Sequence, residues 1–164
     1  MPRLYAATYN GTITNAGGNA DLGSFQPADD IPIRLRGILF SQSSEVGDAQ
    51  EEGLRITVNR LPATFTVGSG GASITACTPS SDTTGAAWSF TGRANDTTIA
   101  STSGTAECHF DSAWNVRNSP YDFFWPDATF CVQARQGAGV TVRMDTTPAD
   151  DFTGSFTFWL EELA

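Results

Sequence analysis

Long helical periodicity is missing from this chain; Thr, Val, Ile and Phe instead alternate with polar residues in short runs that stop at Gly, Pro, Asn or Asp. That pattern restricts the chain to pleated strands joined by turns. In IPIRLR, Ile31, Ile33 and Leu35 take one face and Arg34 and Arg36 the other, and after Gly37 the apolar residues run on as Ile38, Leu39 and Phe40. A bulge at Gly37, or burial of both faces, accounts for the change of phase. Leu54, Ile56 and Val58 share a face, as do Val140, Val142 and Met144, and again Phe156, Phe158 and Leu160. These runs are the expected core strands.

Weaker strands are expected at Leu4 to Thr8, Thr12 to Asn15, Ala63 to Val67, Ser73 to Cys77, Trp88 to Arg93, Thr97 to Ala100, Ala106 to Phe110 and Thr129 to Ala134. About eight to ten short antiparallel strands at this spacing make an all-β fold, a two-sheet β-sandwich or jelly roll. Asn10-Gly11 reads as a hairpin turn, and VGSGGAS, Val67 to Ser73, as a flexible connection. That connection is no phosphate loop, since its glycines fit no Walker pattern and no helix follows. Residues 1–164, with 40% hydrophobic content, read as a single β-sandwich domain able to bury a core without metals or disulfides.

All nine basic residues are Arg, and 18 acidic residues bring the formal net charge to -9, so a phosphate backbone is repelled and no nucleic-acid partner is expected. No apolar run approaches the roughly 18 residues of a membrane span, and MPRLYAATYNG has no apolar signal core, so no membrane partner is expected and synthesis is cytoplasmic. Cys77, Cys108 and Cys131 are an odd set without CxxC spacing and read as reduced, buried thiols.

His109 is the only histidine, so any Ser/His/Asp or Cys/His mechanism must use it. Strand alternation points Cys108 away from it and puts Asp111 on its side, but no GxSxG nucleophile motif is present. With the three cysteines it lacks the local ligand pairs of a zinc site. The doublets Asp29-Asp30, Glu51-Glu52, Asp150-Asp151 and Glu161-Glu162 diverge on strands or are solvated in loops, and EVGDAQEE lacks the ligand spacing of a calcium loop. The acidic segment Ser41 to Glu52 therefore reads as a surface connection with one helical turn at DAQEE. Aromatics are denser in SAWNVRNSPYDFFWPDATF, where Trp114, Tyr121, Phe123, Phe124, Trp125 and Phe130 divide between core and a sugar platform or partner anchor.

GILFSQSSEVGDAQEEGLRITVNR and STSGTAECHFDSAWNVRNSPYDFFWP, with the chain from about Gln26 onward, resemble small virion proteins encoded near the structural genes of tailed phages. Within that group, small all-β proteins resemble capsid decoration, or cement, proteins. The resemblance implies a non-catalytic protein on the outer capsid surface, with no cofactor, whose partners are the major capsid protein and its own copies in a homo-oligomer, a trimer for preference. Glu45, Asp48, Glu51 and Trp125 are the candidate assembly residues. A tail or neck virion protein, a carbohydrate-binding β-sandwich and a hydrolase using His109 or a carboxylate pair are the alternatives.

Overall fold

The computed structural model describes residues 3–14, 18–28, 30–44, 53–78, 88–118 and 120–163. Its alternating runs form two antiparallel sheets. In the first, β1 (Arg3–Ile13), β12 (Phe152–Glu162) and β3 (Ile33–Gln42) lie side by side; in the second, the order is β2 (Ala20–Gln26), β11 (Gly139–Met144), β4 (Gly53–Leu61) and β8 (Glu107–Asn115). The shorter β9 (Tyr121–Phe124) and β10 (Val132–Ala134) both pair with the free side of β3.

Strands meet from the outside of the sequence inward: β1 with β12, β2 with β11, β3 with β9 and β10, and β4 with β8. That ribbon is then rolled so that β12 also pairs with β3 and β11 with β4. The result is the two-sheet jelly roll among the folds anticipated from strand spacing.

The core fills from both inner faces. Phe158 lies across the gap with its ring against Phe25, centroids 5.2 Å apart, and Phe40 packs edge-on to Phe156 at 5.4 Å. Gly23 makes room for the Phe158 ring, because a Cβ at that position would stand 2.7 Å from it. The β3–β12 register shifts between Trp159, opposite Gly37, and Leu160, opposite Leu35. This is the bulge that the change of phase in IPIRLRGILF signals. Phe124 rests on Gly37 where a Cβ would meet the ring at 2.5 Å.

Between β4 and β8 the chain makes a long excursion. It carries β5 (Ala72–Ser73), β6 (Ala76–Cys77) and β7 (Thr91–Ala94); β6 adds to β1 in one sheet, while β7 adds to β2 and β5 to β7 in the other. The excursion thus extends both sheets along one long side of the sandwich. At the opposite side, β8 ends one sheet and β9 and β10 end the other, and no further strand is added among the described residues.

The same excursion also roofs the outer face of the second sheet. Its limbs are joined by bridges between Thr66 and Ser101 and between Ser69 and Thr98, and Phe65, Leu61 and Ala100 form a small apolar cluster. Under this roof Asp21, Ser24, Thr57, Asn59, Asp96 and Thr141 are buried. Arg143 Nε donates to Asp21 Oδ1 at 2.7 Å, Ala100 N to Asp21 Oδ2 at 2.6 Å, and Arg93 Nε to Asp96 Oδ2 at 2.9 Å. VGSGGAS, expected as a flexible connection, is tied into the excursion by the Ser69–Thr98 bridge and by the pairing of Ala72 and Ser73 with β7. Gly71 N donates to Asp96 Oδ1 at 3.0 Å, and a Cβ on Gly71 would lie 2.1 Å from Ala94 O, so close approach rather than mobility requires glycine there.

Candidate functional site

A cleft of about 950 Å³ opens along the side of the sandwich that the excursion leaves uncovered, between the β8 edge and the β9 and β10 edge. Its aromatic floor comes from both sheets. Phe110 on β8 lies 4.5 Å from Phe123 on β9, and Trp125 stands edge-on to Phe123 at 5.0 Å and to Phe110 at 5.9 Å. These rings close the gap that no main-chain ladder bridges, and edge-to-face contacts fix their tilt. Trp125, a candidate assembly residue from the sequence, is 7% exposed and belongs to this floor. Glu45, Asp48 and Glu51, like the DAQEE turn, lie outside the described residues.

Among the Phe and Trp rings that line the cleft, Phe130 is the exposed one, at 67%. It ends a single 3-10 turn, Ala128–Phe130, which the strand expected over Thr129 to Ala134 did not anticipate. Asp127 caps the turn: Oδ1 accepts from Thr129 N at 2.7 Å and from Thr129 Oγ1 at 2.8 Å. Those two donors, the amide first, hold the Asp127 carboxyl below the usual carboxylate range. A capped turn so short has little freedom, and it holds Phe130 at the cleft rim.

Across the cleft, β8 departs from simple alternation. Phe110 faces Val58 and Cys108 faces Asn59, so His109 is the extra residue of a bulge. The alternation that would set Cys108 opposite His109 and Asp111 beside it is therefore interrupted at His109. His109 Nε2 lies 3.5 Å from Glu107 Oε2, and Glu107 also accepts from Arg60 Nε at 2.8 Å. Asp111 instead takes two donations from Arg55, at 2.9 and 2.6 Å, which hold its carboxyl below the ordinary range.

Arg60, His109 and Arg135 line the cleft, and no Asp or Glu among the described residues does. In a chain of net charge -9 the described lining is free of carboxylates, and beyond the Arg60–Glu107 pair it leaves Arg135 as an exposed cation. The sequence identified His109 but gave no reason to join it to Arg60 and Arg135, which reach the cleft only through the roll of the ribbon. Among the described residues no group of three or more His, Cys, Asp or Glu is placed to hold a metal ion, and no helix is long and apolar enough to cross a membrane.

Cys131 also lines the cleft, but its Sγ donates to Asp127 O at 3.6 Å and burial pushes its thiol up, the opposite of an activated nucleophile. Cys77 and Cys108 are exposed, which corrects the expectation of three buried thiols; all three are free. Cys108 lies on β8 and Cys131 leads into β10, so they belong to opposite sheets. A thiol reagent should therefore label Cys77 and Cys108 quickly in the native protein and Cys131 only slowly, with all three titrating after denaturation. Rapid native labelling of Cys131 would contradict its placement.

No protein-family model matches the chain, and no curated protein matches it. In solved structures of infectious bursal disease virus, one of the Gx strain and one of the Gt strain, a chain overlaps this one at 12% identity and a TM-score of 0.18. The overlap covers 99% of this chain and 42% of the Gx chain, and 98% and 40% for Gt, so this chain spans about two fifths of their length. At that TM-score the likeness carries no argument.

Proposed function

We propose that this chain is a non-catalytic virion protein that decorates the outer surface of a phage capsid and stabilises the shell as a homo-oligomer, a trimer for preference. The observation that carries the reading is the open side of the jelly roll. One long side is extended by the β4–β8 excursion, and the other presents a preformed aromatic cleft with Phe130 held at its rim. A decoration protein uses a fixed surface of this kind to recognise a repeated site. The virion-protein resemblance of the segments around Gly37 to Arg60 and Ser101 to Pro126 supports the same reading. Closed symmetry repeats one modest contact over many positions, so weak interfaces add through avidity.

A ligand that binds the assembled shell and not its dissociated parts stabilises the shell by mass action, by about 2.7 kcal/mol per site at roughly a hundred times its Kd. Particles stripped of the protein should lose DNA at a lower temperature and under milder chelator stress, and adding the protein back should restore resistance. Cryo-electron microscopy of labelled particles should place it on the head at threefold or quasi-threefold positions. Finding it only at the tail or neck would sink the decoration assignment while sparing the virion one; glycan binding without particle binding would favour the carbohydrate module.

A further inference from the structure

We propose that the open-edge cleft receives an extended peptide segment of the docking partner, one that carries carboxylates beside an apolar side chain. The proposal rests on reading this chain as a docking module and names what its cleft recognises. Charge is the first argument. The cleft is lined by Arg60, His109 and Arg135 and by no acidic residue among those described, although the chain as a whole has net charge -9. Glu107 already pairs with Arg60 and approaches His109, whereas Arg135 makes no ion pair among the described residues and is the cation most available to a carboxylate. A planar guanidinium suits that partner, because it donates two parallel hydrogen bonds to one carboxylate.

Shape is the second argument. β8 bounds one side of the cleft and β9 and β10 the other, and each is the last strand of its sheet among those described. Edge strands offer main-chain donors and acceptors to an added extended segment, while pockets between them take alternate side chains. Phe110, Phe123 and Phe130 make such a pocket apolar. An anionic sugar fits less well. The tryptophan of the cleft, Trp125, is 7% exposed with its ring held against Phe110 and Phe123, so it presents no flat stacking platform.

The test uses the whole chain and three fluorescein-labelled, end-blocked peptides: Glu-Leu-Asp-Val-Glu, Gln-Leu-Asn-Val-Gln and Lys-Leu-Lys-Val-Lys. Fluorescence polarisation should show the acidic peptide binding at least about tenfold more tightly than the other two, a gap of about 1.4 kcal/mol. Phe130→Ala and Arg135→Glu should each weaken it by about tenfold or more, while circular dichroism and melting stay unchanged, because both side chains are exposed. Equal binding of the three peptides, or binding indifferent to both substitutions, would overturn the proposal. So would oligogalacturonate outcompeting the acidic peptide, which would assign the cleft to an anionic sugar. Particle attachment separates this proposal from the decoration reading. A Phe130→Ala/Arg135→Glu variant that still decorates particles at full copy number overturns the cleft assignment alone. Wild-type protein that binds the acidic peptide through both residues but never binds particles leaves the cleft standing and removes the decoration role.

Discussion

Replacing Asp21 with Ala is expected to destabilise the fold by about 3–5 kcal/mol, because it leaves a guanidinium beneath the roof without its partner. Asp21 is fully buried and makes two kinds of contact at once. Its carboxylate takes Arg143 Nε at 2.7 Å and Ala100 N at 2.6 Å, while its main chain exchanges hydrogen bonds with Asp96, both at 3.0 Å. The substitution therefore loosens the roof as well as the sheet. Urea unfolding should show a lower midpoint for Asp21→Ala, and Asp21→Ala/Arg143→Met should recover much of the loss, since an apolar pair avoids the desolvation of both charges. A single variant within about 0.5 kcal/mol of wild type would contradict the buried pair.

The same carboxyl gives a pH signature. Burial raises its pKa above the ordinary value and outweighs the lowering by Arg143 and the Ala100 amide. A carboxyl raised in the folded state contributes stability in full below its unfolded value, about 3.9. That contribution is lost as pH rises through the folded value. Asp21→Asn should remove this component, so the variant should gain less stability, or lose more, than wild type as pH falls through the acid range.

Phe158→Ala is the second large effect, expected to cost about 3–5 kcal/mol through lost burial and the cavity left behind. The ring is fully buried at the centre of the sandwich and touches Phe25, Phe40 and the bare backbone of Gly23. Its partner on the facing sheet makes a sharper test. Gly23→Ala puts a methyl 2.7 Å from the ring and should cost about 1–3 kcal/mol by overpacking. In the Phe158→Ala background the same methyl enters vacated space and should cost less than in wild type. Additive denaturation energies would mean that the two positions do not touch.

Strands with one face in the core were legible because alternation survives there: Leu54, Ile56 and Val58 all point inward, as do Phe156, Phe158 and Leu160. β2 was missed for the converse reason. In ADLGSFQ the core takes Leu22 and Phe25 while the roof buries Asp21 and Ser24, so the polar residues mark a second covered face rather than solvent. Asn10-Gly11 carries a hairpin signal, yet it pairs straight through with Ser155 and Gly154 inside β1. Gly11 is there because the Tyr9 side chain lies over it, with Tyr9 Oη 2.3 Å from where a Cβ would be. Tertiary packing overrides local turn chemistry at that point. The aromatic run around Trp125 was visible as a cluster, but exposure was decided by position in the fold: Trp125 fell on the floor and Phe130 on the rim. Arg60, about two fifths of the chain away on β4, had no sequence link to either.

The outside-in pairing of the ribbon also sets when this protein can fold. β12 leaves the ribosome after every other described strand, yet it lies between β1 and β3, and β11, nearly as late, lies between β2 and β4. Until both emerge, each half-made sheet has a slot at its centre, and Tyr5, Ile38 and Phe40 lack the β12 strand that pairs beside them. Such long-range closure is slow, and the waiting chain exposes unpaired edges. Those edges stay open to pairing with another nascent chain until β12, Phe152–Glu162, has emerged.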